Sequence, residues 1–112
     1  MSDIGLDELQ RRLDEVVVLD VRSPGEYDGT VGYSCDPRQG HIPGARNVPV
    51  QELVQRSPDE LRALVEGAGK ELVCYCHSGG RSERAAAVLR AAGYDARNYR
   101  GSWHEWSRAV AE

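Results

Sequence analysis

Apolar and polar positions in this chain repeat with two periods in turn, and the alternation predicts helices and strands following one another. Leu6, Leu9 and Leu13 fall on one face of a first helix, with Asp7 placed to help cap it. Val16-Val17-Val18-Leu19 is apolar without a break, as in a strand buried on both faces of a parallel sheet, and Asp20-Val21-Arg22 lies at its carboxyl end. Ser23-Pro24-Gly25-Glu26 can open a short helix. Ser57-Pro58-Asp59-Glu60 is a stronger start, because Ser57 can cap, Pro58 suits the first turn and Glu60 completes a capping box. Leu61, Leu64 and Val65 continue that helix, which is expected to end near Gly67.

Leu72-Val73-Cys74-Tyr75 reads as a second buried strand, and the segment from Ser82 to Ala92 reads as a helix stopped by Gly93. Asn47-Val48-Pro49-Val50 and Ala96-Arg97-Asn98-Tyr99 are short strand candidates. Ser102 and Glu105 have capping-box spacing before a final helix. Residues 28 to 44 break the rhythm with Gly29, Gly32, Cys35, Pro37, Gly40, Pro43 and Gly44, so they are expected to form a long loop beside a site. The order is that of an α/β protein, and no internal repeat interrupts it.

Composition narrows the field. The 112 residues suit one domain, 1–112, with a modest core. No apolar run approaches the about 20 residues of a membrane span, and Met1-Ser2-Asp3-Ile4-Gly5 has neither the basic nor the apolar region of a signal peptide, so no membrane partner and a cytoplasmic location are expected. The net charge of −4 argues against nucleic acid as a partner. Three cysteines, at 35, 74 and 76, are an odd number without framework spacing, which fits free thiols in a reducing compartment.

The densest chemistry lies in Cys76-His77-Ser78-Gly79-Gly80-Arg81-Ser82, between the strand ending at Tyr75 and the helix after it. Gly79 and Gly80 can adopt backbone angles closed to other residues, so successive N–H groups can converge on one point where the helix also directs its positive end. Cys76 sits at that point. A free thiol with a pKa of about 8.5 is mostly protonated at neutral pH, and such surroundings lower the value toward the nucleophilic thiolate. An inert cysteine closing a buried strand is the plainer alternative.

Four segments together resemble the rhodanese domain of sulfurtransferases: Asp20-Val21-Arg22 with Glu26-Tyr27, Gly40-His41-Ile42-Pro43-Gly44-Ala45, Cys76 through Ser82, and Gly101-Ser102-Trp103-His104-Glu105-Trp106. The resemblance covers nearly the whole chain. It implies a three-layer α/β fold, with a central parallel β-sheet flanked by helices on both faces and the nucleophile loop at the carboxyl end of a central strand. Relatives of this fold that hydrolyse phosphate esters carry one residue more between cysteine and arginine. Here His77, Ser78, Gly79 and Gly80 separate Cys76 from Arg81, as in the shorter sulfurtransferase loop, which makes phosphatase or arsenate reductase activity the lesser reading.

The resemblance implies that Cys76 attacks the outer sulfur of a small-molecule donor such as thiosulfate, becomes a persulfide, and passes the sulfur to a thiol, cyanide or a protein cysteine. A protein-to-protein persulfide relay for thio-cofactor or tRNA sulfur delivery is the first alternative, and a non-catalytic regulatory binding domain the second. Substrate contacts are expected from His77, Ser78, Gly79, Gly80, Arg81 and Ser82. Arg81 can fork onto a sulfonate or form an ion pair with Glu83 or another surface carboxylate. His77 is read as shaping the entrance, since the loop already favours the thiolate. Asp20, Arg22, Glu26 and His41 are read as a supporting network, Trp103 and Trp106 as packing, and Cys74 as an inert core thiol. Cys35 could approach Cys76 as a resolving thiol or remain an ordinary loop cysteine. No cofactor and no metal are expected: Cys74, Cys76 and His77 with Cys35 do not match common zinc frameworks, and a metal there would occupy the nucleophile.

Overall fold

A computed structural model describes residues 3–64 and 71–110 of the chain. The expected end of the helix near Gly67, with Val65, lies outside the described residues. The strands are β1 (Asp3–Ile4), β2 (Val17–Asp20), β3 (Arg46–Asn47), β4 (Leu72–Tyr75) and β5 (Ala96–Tyr99). The helices are α1 (Leu6–Arg11), α2 (Pro24–Asp28), α3 (Val50–Gln55), α4 (Pro58–Leu64), α5 (Gly80–Ala91) and α6 (Ser102–Ala109). All strand pairings are parallel, in the order β1-β5-β4-β2-β3, which puts β4 at the centre. No helix among the described residues is long and apolar enough to cross a membrane.

Side chains of β4 alternate between two cores, as the pleat of a strand requires. Leu72, Cys74 and Cys76 join a cluster with Leu53, Leu61, Ala85, Ala86 and Leu89 from α3, α4 and α5. Val73 and Tyr75 join Leu9, Trp103 and Trp106 from α1 and α6 on the other side. Helices thus cover both faces of the sheet. A strand covered in this way has no solvent face to keep polar, which is why β2 and β4 read as unbroken apolar runs.

Local signals located most elements but not all. The boxes at Ser23/Glu26 and Ser57/Glu60 form, each Ser hydroxyl accepting the Glu N–H and each carboxylate returning to the Ser N–H. The box at Ser102/Glu105 does not: Gly101 is the cap residue, Ser102 takes a positive φ of 55°, and Glu105 instead accepts from the Tyr99 hydroxyl at 2.8 Å. Gly5, rather than Asp7, occupies the cap position of α1. The strand expected through Val50 stops at Asn47: the Val48 N–H still donates to the Asp20 carbonyl, but the Val50 N–H reaches the Val21 carbonyl, out of ladder spacing, and Val50 and Leu53 turn onto one buried helix face. β1 is too short to show as a pattern. Helix α5 begins at Gly80, two residues before Ser82, and this brings its first turn up against Cys76.

Candidate functional site

Cys76 follows the last residue of the central strand, and its side chain is enclosed, with the residue only 1% exposed. Its Sγ accepts a hydrogen bond from the Gly79 N–H at 3.1 Å and lies 3.4 Å from Ser82 Oγ. Gly79 makes the turn possible. Its φ is +100°, and a Cβ there would sit 2.7 Å from the Arg100 carbonyl oxygen, so the position is closed to a side chain on two counts. Burial is the largest single influence on the Cys76 thiol and pushes its pKa up. The Ser82 hydroxyl with the N–H groups of Ser82, Gly79 and Ser78 outweighs it, leaving the thiol below its ordinary value.

The loop is braced from residues that come later in the chain. Asn98 in β5 accepts from Ser82 Oγ at 2.6 Å and donates to the Gly79 carbonyl at 3.3 Å. Ser102 Oγ accepts from the Cys76 N–H at 3.0 Å and donates to the Tyr99 carbonyl at 2.9 Å. The N–H groups of Trp103 and His104 donate to the carbonyls of Cys76 and His77. Ser102 therefore supports the backbone of Cys76 with the atom that local spacing assigned to a cap. Asn98 was not anticipated, although a lone amide within a buried strand is the signal that marks it.

The remaining anticipated residues fall into separate groups. Asp20 and Arg22 form a fully buried pair at 2.7 Å, with the Tyr75 hydroxyl donating to Asp20 at 2.6 Å and Arg22 lying over the Trp103 ring. Arg22 also donates to the Gly40 carbonyl, and His41 stacks on Tyr27 with ring centroids 3.9 Å apart, so this network holds the 40–45 loop. Glu26 stands apart from it and receives both Nη groups of Arg81 at 3.0 and 3.1 Å. Burial would raise the Glu26 carboxyl, but the Arg81 bonds and the α2 cap prevail and hold it at about 2. The carboxylate partner of Arg81 is thus Glu26, across the sequence, and not Glu83.

A pocket of about 360 Å³, lined by Val50, Gln51, Val54, Gly80, Arg81 and Arg84, opens beside the first turn of α5. Arg84, exposed on that turn, was not anticipated as a site residue. His77 packs on Tyr33 at 3.8 Å and places Nε2 3.0 Å from Asp36 Oδ2. Cys35 is exposed, and its sulfur lies 3.9 Å from Asp36 Oδ1. Cys74 is fully buried, and burial pushes its thiol up to about 12.

The Cys76 sulfur, faced by backbone N–H donors at the carboxyl end of the central parallel strand, stands where open α/β sheets place ligands and where a developing negative charge would be stabilised. The family model of the rhodanese-like domain matches residues 5–109, and the chain belongs to that family. It is 41% identical over 110 residues to the sulfur carrier protein TtuD of Thermus thermophilus, covering 83% of this chain and 39% of that protein. Identity is 35% over 121 residues to a Mycobacterium bovis protein named "Putative thiosulfate sulfurtransferase 1", covering 93% and 44%. The chain thus spans less than half the length of these relatives. The solved structure of the human single-domain sulfurtransferase TSTD1 superposes with a TM-score of 0.77 at 33% identity and 99% coverage of both chains.

Proposed function

We propose that this chain is a rhodanese-type sulfurtransferase that carries sulfane sulfur on Cys76. The observation that carries the reading is the Cys76 sulfur held in bonding distance of the Gly79 N–H and Ser82 hydroxyl, with the thiol lowered despite burial. The thiolate attacks the outer sulfur of thiosulfate, a new S–S bond forms, and the old one breaks with its electron pair leaving on sulfite. The terminal sulfur of the resulting persulfide is anionic, and the loop donors that face Cys76 stabilise that charge. An acceptor thiolate, cyanide or a protein cysteine then attacks the terminal sulfur and returns Cys76 to the thiolate.

Arg81 and Arg84 line the adjoining pocket and supply the positive charge that suits a sulfonate. Arg81 shares its fork with Glu26, so Arg84 is the cation of the pair with no ion-pair partner among the described residues. Gly80 lines the same pocket, and His77 and Ser78 follow Cys76 in the loop. Thiols that must remain free suit a reducing compartment such as the cytoplasm.

A relay between proteins is the second reading, favoured by the likeness to a protein named as a sulfur carrier. Intact mass measured after treatment with thiosulfate, and separately after a protein persulfide donor, tests both. Gain of one sulfur from thiosulfate supports the transferase. Gain from the protein donor alone supports the relay, and no gain from either overturns the proposal.

A further inference from the structure

Beyond the nucleophile, the described residues bring Cys35, Asp36, His77 and His104 together, with one ligand atom from each lying within 4.8 Å of all the others. Three separate parts of the chain meet there: the long loop, the catalytic loop and α6. The Asp36 side chain is fully buried and turns one oxygen toward each imidazole, Oδ2 at 3.0 Å from His77 Nε2 and Oδ1 at 3.5 Å from His104 Nδ1. The Cys35 sulfur lies 3.9 Å from Oδ1. Ligand atoms around a tetrahedral zinc ion, with bonds of about 2.0 to 2.3 Å, stand roughly 3.2 to 3.7 Å apart. The Asp36 oxygens already lie near that spacing from their three neighbours, and the exposed Cys35 and His104 can close the rest.

Arg108 marks where positive charge belongs. Its Nη1 lies 3.0 Å from Asp36 Oδ1 and 3.1 Å from His104 Nδ1, and its Nη2 donates to the Cys35 carbonyl. The same Nη1 donates to the His104 carbonyl at 2.6 Å, so the guanidinium sits among the acceptors that a bound cation would meet. Arg108 is partly exposed at the surface of α6, so solvent can take up its guanidinium when a cation takes its position.

We propose that Cys35, Asp36, His77 and His104 form a binding site for a divalent cation of the zinc class beside the nucleophile loop. One sulfur, two imidazole nitrogens and one carboxylate oxygen suit a borderline-soft tetrahedral ion, whereas magnesium and calcium require oxygen ligands. Cys35 gives up its thiol proton to solvent on binding. The site departs from the zinc arrangement judged unsuitable from sequence, because Cys74 and Cys76 take no part and Asp36 and His104 replace them. Since His77 directly follows Cys76, the bound ion would tie the long loop and α6 to the backbone that carries the nucleophile.

Free zinc could also bind the Cys76 thiolate, so turnover is a poor readout and Co²⁺ absorption in a Cys76→Ala background is the better one. The full chain should take up one equivalent with the intense visible bands of tetrahedral cobalt and a thiolate charge-transfer band. Cys35→Ser should remove the charge-transfer band, and His104→Ala should weaken binding by at least about tenfold. Arg108→Gln should tighten it by vacating the position. Absence of saturable binding would overturn the proposal, as would a thiolate band that survives Cys35→Ser, an unchanged affinity in His104→Ala, or weaker binding in Arg108→Gln.

Discussion

Cys74 and Cys76 stand two residues apart, on the same face of the chain and in the same core cluster, yet they are opposite in chemistry. Both are enclosed, at 0% and 1% exposure, so accessibility does not separate them. Burial moves Cys74 to about 12 because nothing around its sulfur compensates strongly for the lost water. At Cys76 the same penalty is exceeded by a hydroxyl and three backbone N–H groups. Directed donors therefore separate the two thiols, and the strand's end is where the backbone becomes free to supply them. Inside the strand, the Cys74 backbone is paired on both sides, with Leu19 of β2 and Asn98 of β5.

The severest break of this contrast is Cys76→Ser, which should leave a folded protein that gains no sulfur from thiosulfate, as measured by intact mass. An adduct of unchanged yield in that variant would transfer the role to another thiol. Next comes Gly79→Ala. A Cβ 2.7 Å from the Arg100 oxygen at a φ of +100° should destabilise the protein by about 1 to 3 kcal/mol, read by denaturant unfolding, and displace the N–H that faces Cys76.

Ser82→Ala is subtler, since it removes one donor and leaves the turn. Loss of a charge-assisted hydrogen bond of about 1.4 kcal/mol should move the midpoint of Cys76 alkylation about one pH unit higher. A midpoint that stays in place would show that the backbone donors alone hold the thiolate.

Cys74→Ala should have the smallest effect, a loss of about 1 kcal/mol from a minor core void, with sulfur loading retained. It should also change the alkaline limb of stability. In the native protein Cys74 stays protonated to about 12, while the unfolded chain ionises near 9.0, so stability falls as pH rises between those values. The alanine variant should lack that component of the decline. Unfolding midpoints measured on either side of pH 9.0 would reveal it. Cys76, lowered when folded, acts with the opposite sign: its contribution to stability grows as pH rises toward 9.0 and is lost as pH falls through its folded value.

Much of the site could be read locally, because its central unit is local. An apolar run, a cysteine, two glycines and an alanine-rich helix specify strand, turn and helix start within a few residues, and four residues between Cys76 and Arg81 set the loop size. The buried run in β2 and the two capping boxes that form are legible for the same reason. What surrounds Cys76 was decided by packing. Asn98 reaches Ser82 across the β4–β5 pairing, Glu26 meets Arg81 from 55 positions away, and Asp36 meets His77 from 41. Ser102 shows the limit most directly: its spacing to Glu105 satisfies a helix cap, but the close approach of α6 to the loop gives its hydroxyl the Cys76 N–H instead. A polar side chain takes whichever partner the assembled chain presents at bonding distance, and residue spacing along the sequence carries no record of that distance.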